Sequence, residues 1–409
     1  MTAVIPLHRT GQAFYVPAFE ITVNGRPAGR EIVRDLTEVT FEDSLEAIDS
    51  FTLAFNNWDT DHLRPAFVGQ GAEEARWGDV QPGNGLELRL GYQGDLRLMT
   101  TGFITALDVE FPDSGFTKAT VRGLNILDRF RDAQYTWSWP AGNGAPMKDS
   151  DIAEDLGQAP NSPQGHPGLN GITRVVTSSA AKGREQACDH VFMNNKYPIV
   201  FLVELARRNG YEVIFQLVDD QPQLYFGPSD EVRDVTYLLE WGKTLSSLKA
   251  TISTARQVKQ LTVLGWDRIA KQPIRASVTV DDPEVRLPDT TRALARATGR
   301  EEVVTDDVVT TEAQARAKAI EQLTSHASRL VEVEGAVVGL PDLRAGRTVQ
   351  LGRLGPHLDG TYTLTWTKHV INDTGYRTQF KARMEGRQTA AGGGAAPSGS
   401  PSTSTGVSR

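Results

Sequence analysis

The one cluster of side chains with a reactive look is Cys188-Asp189-His190, which sets a thiol, a carboxylate and an imidazole side by side. Nucleophilic catalysis needs a base within hydrogen-bond reach of the nucleophile. Adjacent side chains point to opposite faces of a strand and about a third of a turn apart on a helix, so these three cannot form that pair. The spacing predicts an ordinary buried cysteine.

A second short pattern, Gly242-Lys243-Thr244, matches the end of a phosphate-binding loop. Such a loop needs its first glycine five residues before the second, where this chain has Tyr237. The segment also alternates as a strand does. We interpret the match as chance.

Metal and acid-base patterns are equally weak. His326, His357 and His369 are scattered, and His369 is expected to pack in the last hairpin. No Gly-x-Ser-x-Gly, no His-Glu-x-x-His and no carboxylate pair typical of glycoside hydrolysis occurs. Three acidic pairs are interpreted as solvated turn carboxylates: Asp219-Asp220, Asp281-Asp282 and Asp306-Asp307. The chain is predicted to be no enzyme, with no catalytic, cofactor-binding or metal-binding residues.

Composition predicts a large, β-rich chain without membrane or nucleic-acid partners. A length of 409 residues is enough for two to three domains, and 38 Gly with 21 Pro favour turns and strands over long helices. The net charge of -8 disfavours nucleic acid and anionic membranes as partners. The single cysteine excludes an intrachain disulfide, and no signal peptide or spanning apolar run is evident, so folding in the cytoplasm is expected.

The elements fall into four segments. Residues 1–135 contain alternating runs, beginning with Phe19 to Val23 before the hairpin signal Asn24-Gly25, and an irregular insertion at 56–80. Residues 136–240 predict a small α+β domain, with a helix from Pro198 followed by a hairpin over 211–226.

Residues 241–386 predict a second β domain with a helical insertion around 281–330, whose longest helix starts after the capping residue Thr311. Residues 387–409 are mostly Gly, Ala, Ser, Thr and Pro and predict a flexible tail.

The second β domain echoes the first. Residues 85–91 and 346–352 both read Gly-x-x-(Leu/Val)-x-Leu-Gly. Further on, Gly102-x-x-Thr105 answers Gly360-x-x-Thr363, and Asp113-Ser114-Gly115 answers Asp373-Thr374-Gly375. Three matches in the same order predict an internal duplication.

Two stretches carry a family resemblance. One runs from Trp241 to Asp267 and ends in Gly265-Trp266-Asp267, and the other comprises 341–346, 360–362, His369 and 375–380. Together they resemble the phage late control gene D family of baseplate hubs, which shares its architecture with the hub part of the type VI secretion protein VgrG. The resemblance implies a mainly β fold with two tube-protein-like β-barrels and a small helix-and-hairpin domain between them. It also implies that the Gly-Trp-Asp segment enters the second barrel.

The resemblance further implies a homotrimer, in which three chains present six barrels. Such an object would join the sixfold inner tube to the threefold spike of a contractile tail or injection system. Its expected partners are the inner tube protein, a separate spike protein and other baseplate proteins. After assembly in the cytoplasm, it would sit in the baseplate of a virion or phage-tail-like particle, whether of a phage or of a secretion device.

Two other functions are kept open. A β-rich carbohydrate-binding protein or adhesin would use exposed tryptophans as stacking platforms, namely Trp58, Trp77, Trp137 and Trp139. A cell-wall hydrolase is disfavoured by the missing catalytic motifs.

Overall fold

The computed structural model describes residues 5–6, 16–69, 78–157, 174–218, 221–228 and 235–387, less 114, 116, 143, 184, 210, 256, 268–269, 286, 288, 306–308 and 310. The described chain is mainly β, as composition predicted. The C-terminal tail and Trp77 lie outside the described residues. No helix in the described ranges is long and apolar enough to cross a membrane.

The described residues up to 227 contribute fifteen strands. They are β1 (Ile5–Pro6), β2 (Pro17–Val23), β3 (Arg26–Pro27), β4 (Leu36–Ser44), β5 (Ser50–Asn56), β6 (Trp58–Asp59), β7 (Arg64–Pro65), β8 (Gly85–Tyr92), β9 (Asp95–Glu110), β10 (Lys118–Asn125), β11 (Tyr135–Trp139), β12 (Arg174–Thr177), β13 (Val191–Lys196), β14 (Glu212–Val218) and β15 (Gln221–Gly227).

The remaining elements are nine strands and the helices. The strands are β16 (Val235–Glu240), β17 (Leu245–Ile252), β18 (Gln260–Asp267), β19 (Gln272–Thr279), β20 (Glu301–Thr305), β21 (Val331–Val338), β22 (Thr348–Gly352), β23 (Gly360–Asn372) and β24 (Gly375–Arg387). The α-helices are α1 (Arg30–Asp35), α2 (Asp149–Gly157), α3 (Ser179–Lys182), α4 (Pro198–Asn209), α5 (Asp289–Thr298) and α6 (Glu312–Ser328), and a 3-10 helix covers Ile126–Arg131.

The large sheet contains the same five-stranded antiparallel arrangement twice. Unit 1 has the order β8-β9-β10-β5-β4 and unit 2 the order β22-β23-β24-β21-β17, so equivalent strands also follow one another in the same order along the chain. Strict alternation builds these strands: Phe51, Leu53 and Phe55 of β5 are buried and their neighbours only partly so. The predicted duplication is therefore present in the structure.

Two of the three sequence matches behind the duplication are out of register. Both long strands carry a bulge, at Thr105 in β9 and at Thr365 in β23, and each bulged hydroxyl donates to the carbonyl of a basic residue on the next strand, Arg122 or Lys381, at 3.3 Å. Thr105 is thus equivalent to Thr365, and the match of Gly102 with Gly360 was wrong. Gly85 lies opposite Phe103 and Thr348 lies opposite Thr363, so Gly85 is equivalent to Thr348, and the match of 85–91 with 346–352 was wrong by two residues. A bulge shifts the local residue count, which the sequence alone did not reveal.

The two units meet in one branched sheet. Strand β23 is long enough to pair with β22 along its first residues and with β4 of unit 1 along Trp366–Asn372 on the same edge. Unit 1 and unit 2 each enclose their own apolar core. The pairings of the described strands do not close either unit into a barrel. Barrel closure stays a prediction.

The Gly-Trp-Asp segment does not enter unit 2. Strand β18 lies in a separate three-stranded sheet, between β19 and β20, and α6 covers the face that buries Leu261 and Val263. This insertion connects β17 to β21 and has its own core. Thr311 accepts a hydrogen bond from the Gln314 backbone N–H at the start of α6, as the capping pattern predicted.

The α+β segment between the units contains the predicted helix and hairpin. Pro198 is the first residue of α4, and β14 pairs antiparallel with β15. Its core holds the fully buried Trp139, whose ring stacks on Phe201 at 5.3 Å and whose indole N–H donates to Asp155 at 2.8 Å. A buried indole needs such a partner, which fixes α2 against α4.

Candidate functional site

The structure gathers buried polar side chains where β4 of unit 1 pairs with β23 of unit 2. We call this pairing the seam. Asp43 lies opposite Thr367, and Phe41 lies opposite His369. All four side chains face inward and are at least nine-tenths buried. Buried polar groups cost free energy unless they are hydrogen-bonded, so their partners decide what the seam can do.

Asp43 has a full set of partners. Its carboxylate accepts from Arg344 Nε at 2.6 Å, from the Ala345 backbone N–H at 3.1 Å and from the Thr367 hydroxyl. The Arg344 guanidinium also lies 4.7 Å from the centre of the Phe41 ring. The buried charge is therefore compensated, and the bonds tie β4 to the turn before β22 and to β23.

His369 is the other buried polar residue of the seam with several hydrogen-bond partners. Its Nε2 lies 2.9 Å from the Leu343 carbonyl oxygen, which only accepts, so Nε2 carries the proton. Its Nδ1 lies 2.9 Å from the Tyr376 hydroxyl and 3.1 Å from that of Thr378. Burial lowers the pKa of His369 to about 4, so the imidazole is neutral at pH 7. The histidine packs in the last hairpin, as expected.

A second buried acid, Asp49, follows the β4–β5 turn. Asn125 Nδ2 donates to its carboxylate at 2.8 Å. Burial, with the nearby Asp43 adding to it, raises the pKa of Asp49 to about 7. Both acids border a cleft of about 120 Å³ whose other wall is apolar and includes Val203 and Phe215. No group of three or more potential metal ligands occurs among the described residues, here or elsewhere.

The residues that looked reactive in the sequence are held in ordinary structural roles. The backbone of Cys188 pairs with Met147, and its side chain is half-buried, not fully buried as the spacing predicted; burial raises the pKa of its thiol. Lys243 lies in the turn between β16 and β17 and pairs with Glu240 at 2.7 Å. Asp281 and Asp282 pair with Arg296 and Arg316, respectively, so these turn carboxylates are ion-paired. The pairs 219–220 and 306–307 lie outside the described residues.

The tryptophans differ from the expected stacking platforms. Trp139 is fully buried, and Trp58 and Trp137 are only partly exposed. The half-exposed tryptophans are Trp241 and Trp266 instead. Trp266 is the last but one residue of β18, the central strand of the inserted sheet, and alternation within β18 points its side chain away from α6.

Sequence inspection missed the seam. A signal was present, because Asp43 follows the inward positions Val39 and Phe41 at the same two-residue period. A carboxylate at an inward position needs a cation or donors nearby. That cation is Arg344, which lies about three hundred residues later in the chain and cannot be identified from the sequence around Asp43.

Comparison with solved structures identifies the fold as one found in phage tail proteins. The chain resembles the 43 kDa tail protein of prophage MuSo2 from Shewanella oneidensis, with a TM-score of 0.63 and 16% identity over 90% of this chain and 98% of that one. It resembles a tail protein from Neisseria meningitidis with the same TM-score and 15% identity, over 90% and 97% of the two chains. A type VI secretion component of E. coli, described as similar to bacteriophage T4 tail proteins gp27 and gp5, matches with a TM-score of 0.51 and 10% identity over 86% and 73%.

The sequence comparisons give the family. The chain belongs to the family described as the Alg8 N-terminal domain, whose model matches residues 72–373. That description does not name the late control gene D family, so membership of the latter stays a prediction. A comparison with curated proteins found no match.

Proposed function

We propose that this protein is a structural component of a tail baseplate, acting as the trimeric hub that joins a sixfold inner tube to a threefold spike. The observation that carries the proposal is the duplication. One chain holds two copies of the same five-stranded unit, so three chains around an axis would present six. The phage-tail fold supports this function.

The internal contacts suit a part that transmits force. Units 1 and 2 are joined by strand pairing, by the Asp43–Arg344 ion pair and by the hydrogen bond from Tyr92 Oη to the Gly339 carbonyl oxygen at 3.0 Å. Arg383 of β24 also pairs with Glu212 of β14 at 2.9 Å, which attaches the α+β segment to unit 2. A hub held this way would pass the load of sheath contraction without its domains separating.

The proposed partners are the inner tube protein on one face and a spike protein with other baseplate proteins on the other. The segment 388–409 either hangs into the lumen or tethers the spike. Removing it should lower spike retention in assembled particles if it is a tether. Unchanged retention would leave the lumen as its place.

The test of the trimer is native mass spectrometry over a concentration series, alone and with the tube and spike proteins. A species of about 134 kDa, three times the 44.7 kDa chain, is the expected result. A monomer that stays monomeric with both partners present would overturn the hub. Glycan binding by that monomer would favour the carbohydrate-binding alternative.

A further inference from the structure

The seam joins two strand edges whose equivalents lack a described partner. Within one chain, β4 of unit 1 covers the later half of β23 in unit 2. The strands equivalent to β4 and β23 are β17 and β9. Among the described residues, β17 pairs with β21 and, through its first residue Leu245 alone, with Trp241. Backbone bonds to the corresponding edge of β9 reach no further than Ile104. Within the described part of the chain there is thus one open edge of each kind, one on each unit.

The exposure of the side chains agrees with this difference. Equivalent residues of the two units occupy the same place in the strand pairing, counted from the shared bulge. By this criterion Val39 and Phe41 of β4 are equivalent to Leu248 and Ala250 of β17. The first two are buried, while Leu248 is half-buried and Ala250 is exposed. The same positions are therefore covered where the pairing exists and open where it does not.

Apolar side chains lie on both open edges. Ile252 at the end of β17 is 55% exposed, and Phe111 immediately after β9 is 59% exposed. Both belong to the inward-facing set of their strand, alternating with Lys249 and Glu110 on the outer face. Exposed edges of this kind are templates for strand addition.

The register of the seam fixes which residues would meet. Since His369 lies opposite Phe41, its equivalent Val109 would lie opposite Ala250 of a neighbouring copy. The adjoining pairs are Leu107 with Ile252 and Phe111 with Leu248 on the inner face, and Glu110 with Lys249 on the outer face. Apolar groups thus meet apolar groups, and the one pair of charges has opposite signs.

We propose that β17 of one copy adds antiparallel to the later half of β9 in the next copy, in the register of the seam. The occupant of each open edge is thus a second copy of this chain. The contact is head-to-tail, and a head-to-tail contact makes a closed ring when its rotation divides a full turn. Three chains would then contain six equivalent seams, three within chains and three between them. The ring rests on the proposed hub function, whereas the strand pairing rests on the repeat itself.

Disulfide trapping tests the pairing. Residues directly opposite in an antiparallel pair have Cα atoms about 4.5–5.5 Å apart, which a disulfide spans. In a Cys188→Ser background, Val109→Cys in one chain and Ala250→Cys in another should give a covalent dimer on oxidation when the two are mixed. Neither variant alone should link to itself. A chain carrying both should give species up to a closed trimer.

The matched control moves one cysteine by one residue. Val109→Cys with Lys249→Cys places the two thiols on opposite faces of the sheet, so it should not link. Glu110→Lys should weaken the trimer, seen as a higher concentration needed for its assembly, and adding Lys249→Glu should restore it. Circular dichroism of each variant shows that it is folded.

The outcomes separate the pairing from the hub function. Suppose native mass spectrometry finds a trimer, but the disulfide does not form and the charge exchange has no effect. That result overturns the strand pairing and leaves the proposed function standing. A chain that remains monomeric with tube and spike proteins present and shows no link overturns both. Linking of the matched pair with the control pair unlinked supports the pairing.

Discussion

Replacing Asp49 by asparagine should stabilise the protein at alkaline pH and much less at acidic pH. Asp49 is 6% exposed, and burial raises the pKa of its carboxyl to about 7, against 3.8 for an ordinary aspartate. The folded protein thus holds this proton more tightly than the unfolded chain does. The stabilisation is complete below about pH 4 and is lost as pH rises through 7.

The size of the effect follows from these two values. At about 1.36 kcal/mol per pH unit, the interval from 3.8 to about 7 amounts to about 4 kcal/mol, of which about 3 kcal/mol is lost between pH 5 and pH 8. Asparagine is uncharged and can accept the same hydrogen bond from Asn125. The advantage of Asp49→Asn over the parent should therefore grow by about 3 kcal/mol from pH 5 to pH 8.

Urea denaturation followed by tryptophan fluorescence measures this difference at each pH. Other titrating groups, including His369, are common to both proteins and cancel. Asp373→Asn, at an exposed turn, is the matched control for the loss of a carboxyl group. Parallel stability curves for Asp49→Asn and the parent, or an advantage that shrinks as pH rises, would refute the account of Asp49 as a buried acid.

Three further predictions concern the seam and the cysteine. Arg344→Ala leaves the Asp43 charge buried without its cation and should lower the free energy of unfolding at pH 7, measured by urea denaturation, by about 3–5 kcal/mol. Arg344→Lys keeps the charge and should lower it less. Equal losses in the two variants would show that the charge is unimportant. Burial lowers the pKa of His369 from 6.5 to about 4, so the stability that its neutral form contributes is full above pH 6.5 and is lost as the pH falls to 4. In His369→Gln, the loss of unfolding free energy between pH 6.5 and pH 4, measured by urea denaturation, should be about 3 kcal/mol smaller than in the parent. An unchanged loss would contradict this. The Cys188 thiol should react with a disulfide reagent at pH 8 at least about tenfold more slowly when folded than after unfolding, since burial raises its pKa; comparable rates would contradict this.

The local elements could be read from the sequence because their causes are local. Alternation in Phe51 to Phe55 identified β5, and the Thr311 cap and Pro198 marked the starts of two helices. One of the three repeat matches was equally readable, since Asp113 and Asp373 occupy equivalent places after the long strand of their unit. The residue type at each position sets these features whatever the rest of the chain does.

Pairing across the chain could not be read in the same way. The sequence assigned the Gly-Trp-Asp strand to a second barrel, yet β18 pairs within the insertion and leaves Trp266 half-exposed. A strand's alternation shows that one face is buried but does not say against what. The bulges at Thr105 and Thr365, which correct the repeat alignment, are equally invisible without the partner strand.

The sequence by itself determined that this protein is mainly β, that it contains a repeated unit and that Asp189 and His190 are badly placed to activate Cys188. Tertiary structure alone decided that β4 covers β23, which brings Asp43 to Arg344 and buries His369. The same fold leaves β17 and the later half of β9 without a described partner. The reason is physical: local propensity fixes each strand, whereas the choice of neighbour depends on which edges the folded chain brings within hydrogen-bonding distance.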